Sequence, residues 1–169
     1  TALETSLRSV DVGYDRDRYG ANDRYLLGEQ WAFSLDYKRD ERSGTRPRLG
    51  SFGSVTSEML RPVDDSTDRI TADVRYQGKQ WSARIGYFAS IYDTKTDDFQ
   101  FDNPFNAFVA GGDRGQMALE PDNFYSEVSA SVGWFGLPWN TAVTLSGAMG
   151  QGTQDSGLAP YTLNPNIAV

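Results

Sequence analysis

Few residues in this chain could do chemistry, and their types restrict what that chemistry is. Asp93, Asp97, Asp98 and Asp102 crowd into one stretch, and an oxygen-rich cluster of this kind could gather Ca²⁺. The spacing departs from the calcium-loop pattern. Lys95 stands at a ligand position, and Phe99 follows Asp98 where glycine is needed, so a solvated acidic loop is expected. A second set, Asp36, Lys38, Arg69, Asp73, Arg75, Arg84 and Glu127, falls on the parity opposite the apolar residues, which suits pairing across strands or meeting a charged partner. Cys and His are absent. Disulfides, thiolate metal sites and covalent haem attachment are therefore excluded, and so is the commonest zinc and haem ligand. No Ser–Lys motif or phosphate-binding glycine loop stands in for them, and a carboxylate pair brought together only in space would leave no sequence trace. No enzyme is expected, and redox chemistry near this chain has to be carried by something else.

The elements that position these residues alternate with a period of two, the signature of a strand with one apolar and one polar face. From Arg69 to Tyr76, Ile70, Ala72, Val74 and Tyr76 share one side, opposite Arg69, Thr71, Asp73 and Arg75. After Gln77-Gly78-Lys79-Gln80 the pattern resumes, with Trp81, Ala83, Ile85, Tyr87, Ala89 and Ile91 apolar. Gly78 is expected to give this hairpin a positive φ. Trp31, Phe33, Leu35 and Tyr37 form an earlier strand; Val128 to Trp134 and Val143 to Met149 form a later pair around Gly136-Leu137-Pro138. Residues 2–16 carry a weaker strand signal, and 15–28 read as polar and turn-like. Long loops are expected near 39–66, 94–122 and 152–169. Pro62, Pro104 and Pro121 are expected to set loop geometry at strand entrances. Phe99, Phe101, Phe105, Phe108 and Tyr161 fall in these loops, as a docking surface or as a plug packed beneath them.

Short turns on one side and long loops on the other is the pattern of an outer-membrane barrel. The five clear apolar faces hold no charge, and Trp31, Trp81, Trp134 and Trp139, with Tyr76, gather beside the short turns as an interfacial aromatic girdle would. No apolar run approaches the ~18 residues of a membrane helix, which leaves barrel strands untouched as an option. The 169 residues carry a net charge of −7 without a clustered basic patch, so no nucleic-acid partner is expected. The fold class is all-β: an antiparallel up-and-down transmembrane β-barrel. About six strands are visible against about eight in the smallest such barrels, so 1–169 reads as part of a larger one. Both ends look cut, and no charged-then-apolar leader is visible. A soluble β-sandwich, such as a carbohydrate-binding module with stacking aromatics, would also alternate; it would stay monodisperse without detergent.

Sequences at the loop edges carry a resemblance. Leu60-Arg61-Pro62-Val63-Asp64 precedes Thr67-Asp68, and Gly86-Tyr87-Phe88-Ala89-Ser90 runs to Asp93. Asp102-Asn103-Pro104-Phe105, Leu119-Glu120-Pro121-Asp122-Asn123 and Pro160-Tyr161-Thr162 follow in order. Together with the Trp31–Tyr37 strand and Gly50-Ser51-Phe52-Gly53, these resemble the MtrB/PioB family of decahaem-associated outer-membrane β-barrels over roughly residues 24–165. The resemblance implies a bacterial outer-membrane sheath whose lumen encloses a multihaem (decahaem) c-type cytochrome. Such a conduit passes electrons across the bilayer, commonly to a multihaem cytochrome at the cell surface. No cofactor is then expected on this chain, because the partner carries the haem. Asp36, Lys38, Arg69, Asp73, Arg75, Arg84 and Glu127 would line the lumen. Complete members of the family have many more strands. An ordinary porin with an open lumen is the nearest alternative.

Overall fold

The alternation becomes one antiparallel ladder. The computed structural model describes residues 11–52, 55–103, 110–155 and 162–167. Six strands, β1 (Gly13–Leu27), β2 (Trp31–Phe52), β3 (Val55–Gln77), β4 (Trp81–Thr94), β7 (Asp122–Leu137) and β8 (Thr141–Asp155), lie side by side in the order β1-β2-β3-β4-β7-β8. A separate two-stranded sheet pairs β5 (Asp98–Asp102) with β6 (Arg114–Ala118) inside the connection between β4 and β7. Every pairing in both sheets is antiparallel. The long sheet is open, as a segment of a larger barrel must be.

One ladder row runs through Leu27, Trp31, Tyr76, Ala83, Val132 and Leu145. At that row the first hairpin is already turning, the second continues to Gln77–Ser82, and the third continues to Leu137–Thr141. The short turns thus step along the ladder. If they lie level at a membrane face, the strands must be tilted against the membrane normal, as barrel closure requires.

The segments expected as loops are largely paired. Arg39–Phe52 and Val55–Ser66 continue the ladder up to Phe52 opposite Val55. What holds them is cross-strand charge complementarity in place of apolar packing: Arg42 opposes Asp65, and Arg39 opposes Asp68. Residues 15–27 are strand as well, so Asp15 to Leu27 is not the expected turn. The stretch 94–122 contains the β5–β6 hairpin, and β8 runs on to Asp155. Val10, Pro104, Phe105, Phe108 and Tyr161 lie outside the described residues.

The turns also differ from expectation. Gly28 and Gly136 have positive φ (64° and 76°), but Gly78 does not; a Cβ there would come within 3.0 Å of the Tyr76 ring, so its small size is what the hairpin uses. Gly44, with φ 139°, sits where a Cβ would lie 2.5 Å from the Gly13 carbonyl oxygen and 2.7 Å from the Tyr14 Cα. Gly44→Ala is expected to destabilise the barrel by about 1–2 kcal/mol through backbone strain at the upper end of the β1–β2 pairing. The urea midpoint of the complete barrel carrying that substitution measures it.

Candidate functional site

On the apolar face, charge is absent from Trp31 to Tyr37 on β2, Ile70 to Tyr76 on β3, Trp81 to Ile91 on β4, Phe124 to Trp134 on β7 and Val143 to Met149 on β8. Charges on this face begin at Arg39, Asp68, Asp93 and Asp122, and these positions bound one side of the band. Large apolar side chains stand open across it, among them Leu35, Ile85, Val128, Val132, Leu145 and Met149. A contiguous exposed apolar face of this kind needs a partner phase. β1 departs from the rule: Asp23 opposes Leu35 and so shares the apolar face.

The opposite border of the band is aromatic. Tyr76 stands between Trp31 (ring centroids 4.9 Å apart) and Trp81 (4.4 Å), and Trp81 opposes Trp134 across β4 and β7. These four stand together at this border. Trp139 is not on a strand. It occupies the Pro138–Asn140 3₁₀ turn with φ 61° and is 97% exposed, so it extends from the turn itself.

The polar face gathers all seven expected residues: Asp36 and Lys38 on β2, Arg69, Asp73 and Arg75 on β3, Arg84 on β4 and Glu127 on β7. Asp73 is buried and accepts a hydrogen bond from the Arg84 guanidinium, while Lys38 pairs with Asp36 at 3.0 Å. Tyr125 donates its hydroxyl proton to Glu127 at 2.7 Å. The face continues with residues that the sequence reading missed. Arg16 and Arg18 on β1 both hold Asp40 (2.6 and 2.9 Å), and Arg42 holds the buried Asp65 at 2.7 Å. Their signal was present: Tyr19, Ala21, Tyr25 and Leu27 alternate with Arg18, Gly20, Arg24 and Leu26. Asp15, Asp17 and Asp23 mask it.

Asp40 lies beyond the charge-free band. Hydrogen bonding from Arg16 first, and from Arg18, outweighs desolvation and holds its carboxyl down to about 2 from the ordinary 3.8. A depressed carboxyl contributes stability that is complete above about pH 4 and is lost as pH falls toward 2. Arg16→Gln is expected to move the Asp40 titration back toward the ordinary range, so that the loss begins at higher pH. Carbon-detected NMR of the labelled carboxyl measures the change.

Toward the short turns, the polar face of β7 and β8 carries small residues. Ser129, Ser131, Gly133, Ser146 and Ala148 line it, and on β4 Ser82 and Gly86 flank Arg84. A Cβ on Gly86 would lie 2.9 Å from the Ser129 hydroxyl, and one on Gly133 2.9 Å from the Ser82 hydroxyl. At the other end, the β4–β7 connection returns over the same face. Glu120 meets Arg61 at 2.7 Å and Arg48 at 3.9 Å, and both arginines have polar-face register. Asn164 and Asn166 donate to the Ala110 carbonyl (3.0 and 3.2 Å), which ties the segment after β8 to this loop. Phe99 is buried there and contacts Phe101 at 5.6 Å between ring centroids, so these two aromatics pack within the loop. Asp93, Asp97 and Asp102 are exposed, and Asp98 accepts a hydrogen bond from the Gln116 amide. Among the described residues no cluster of acidic side chains is arranged to hold a metal ion.

A charge-free apolar band with an aromatic border, backed by a polar inner face, is the cross-section of an outer-membrane barrel wall. Comparison with known proteins agrees. The family model for the outer membrane beta-barrel porin MtrB/PioB matches residues 1–169. Outer membrane protein MtrB of Shewanella baltica (strain OS185) is 31% identical over 127 residues, which is 75% of this chain and 18% of that protein. The match therefore spans about a fifth of the relative's length. This chain belongs to the MtrB/PioB family of outer-membrane β-barrel porins, and its six-stranded sheet is a segment of such a barrel.

Proposed function

We propose that this segment is part of a sheath that encloses a multihaem c-type cytochrome and lets electrons cross the outer membrane without contact with lipid. The role is structural and non-enzymatic. A charged, water-soluble redox protein placed directly in hydrocarbon would lose several kcal/mol or more for each buried charge. A closed sheet with an apolar outside and a polar inside removes that cost and leaves no unpaired backbone edge in lipid. The haem belongs to the partner, since this chain has neither the cysteines that attach c-type haem nor histidine to ligate it.

The observation that favours a filled lumen over an open one is the small-residue inner wall of β7 and β8, formed by Ser129, Ser131, Gly133, Ser146 and Ala148. A row of Ser, Gly and Ala lets a folded occupant approach within contact distance of the backbone, whereas a water-filled channel gains nothing from it. With the short turns periplasmic, as in bacterial barrels generally, this smooth zone lies at the periplasmic end, where a periplasmic cytochrome would enter. The long β2–β3 hairpin then faces the cell exterior, where a surface cytochrome would meet it.

The test is purification of the complete barrel from native outer membranes in mild detergent, followed by haem staining. A stoichiometric multihaem c-type cytochrome bound to the wild type, and lost when Ser129 and Ser131 are both changed to Trp, supports the sheath. A colourless barrel that conducts ions would return the open-lumen porin.

A further inference from the structure

The charges of this chain are sorted by face. Beyond the lipid band, the outer side is acidic, with Asp15, Asp17, Glu41, Asp64, Asp68 and Asp93. Arg39 and Lys95 are spent within that set, Arg39 on Glu41 and Asp68 and Lys95 on Asp64. The inner side of β1–β4 runs the other way, although the whole chain carries a net charge of −7.

On that inner side every carboxylate of β2 and β3 in the described ladder is already engaged: Asp36 by Lys38, Asp40 by Arg16 and Arg18, Asp65 by Arg42, and Asp73 by Arg84. Among the described residues, Arg24, Arg69 and Arg75 are left with no hydrogen bond or ion pair. Two of them stand directly opposite another cation, Arg69 facing Lys38 and Arg75 facing Arg84. Like charges placed opposite each other in a ladder are destabilising unless something between them carries the opposite sign. In a lumen full of water, mobile counterions would do this. In a lumen filled by protein, water and ions are squeezed out, and an unpaired guanidinium becomes costly unless a fixed anion meets it.

We infer that the occupant of the lumen turns an acidic face toward the β1–β4 wall, with carboxylates placed to meet Arg24, Arg69 and Arg75. The inference rests on the sheath reading above and specifies the chemistry of its partner. From Arg69 to Arg75 the contact runs along roughly 20 Å of β3 at ~3.3 Å per residue. The acidic face is therefore an extended stripe that sets how far the occupant slides in and which way round it stands. On the neighbouring β7 and β8 the Ser, Gly and Ala rows ask only for shape.

The experiment uses the complete barrel co-expressed with its multihaem c-type cytochrome, and reads haem retained per barrel across a salt series. Two triple variants are compared with the wild type. In one, Arg24, Arg69 and Arg75 are changed to Glu; in the other, all three are changed to Gln, which introduces no repulsion and keeps the barrel's own ion pairs. Retention is expected to fall about tenfold or more in the Glu variant at physiological ionic strength, and severalfold in the Gln variant, whose salt dependence should flatten. Heat-modifiable gel migration reports whether each barrel has assembled, and the Gln variant carries the test if the Glu variant has not. Unchanged retention and salt dependence in an assembled Gln variant would overturn the acidic-face inference and leave the sheath standing. A wild-type barrel that retains no haem at any ionic strength would overturn both.

Discussion

Ala130→Arg is expected to destabilise the assembled barrel by about 2–4 kcal/mol, and Ser131→Arg, one residue along the same strand, by much less. The two differ only in the face they occupy. Ala130 opposes Ile85 and Gly147 on the apolar side, about midway along the charge-free stretch from Phe124 to Trp134. A guanidinium there has to sit in hydrocarbon or drag water and headgroups toward it. Ser131 opposes Arg84 and Ser146 on the inner face, where, in the barrel alone and without an occupant, an added cation meets water and at most some repulsion from Arg84. Urea titration of the barrel in lipid vesicles, followed by tryptophan emission, measures both variants. Equal losses would contradict the assignment of the two faces.

Arg42→Met is expected to cost about 2–3 kcal/mol, the lower part of the range for stripping one partner from a buried ion pair. The Asp65 side chain is 4% exposed and that of Arg42 28%, so the loss leaves a carboxylate walled off from solvent while its former partner was still partly wet. Tyr92 already donates its hydroxyl proton to Asp65 at 3.3 Å, but a neutral phenol does not balance the carboxylate's charge. Replacing both residues together, Arg42→Met with Asp65→Leu, is expected to recover most of the loss, because no charge is then left unpaired and only the Tyr92 hydroxyl loses an acceptor. A double-mutant cycle on the urea midpoint gives the coupling. If the single and double variants are equally unstable, the damage comes from packing and not from charge.

The membrane part of this wall was legible because lipid enforces a rule that sequence records directly: every second residue apolar, with tryptophan where the band ends. Trp31 to Tyr37, Ile70 to Tyr76 and Trp81 to Ile91 state it without interruption. Outside the band the rule lapses. Arg39 to Phe52 and Val55 to Ser66 are as regularly paired as the rest, yet both their faces are wet and both are charged, so no alternation marks them. Their signal lies in complementarity between distant residues, Arg42 with Asp65 and Arg39 with Asp68, which a single strand read alone does not show. β1 was hidden for a related reason, since three aspartates interrupt its apolar side. Trp139 was assigned by parity and belongs to a turn, where parity has no meaning. The seven polar-face residues were found by alternation; which of them pair and which stay free needed the register.

The hairpin of β2 and β3 outlasts the lipid band. At ~3.3 Å per residue and a barrel-like tilt, the stretch from Arg39 to Phe52 rises roughly 35 Å past the last apolar ring. Its neighbours stop lower, β1 at Gly13 opposite Thr45, β4 at Thr94 opposite Asp65 and β7 at Asp122, so the hairpin stands above the described wall as a tongue. Under the proposed sheath role, that tongue is the part of the wall that a partner outside the cell meets first.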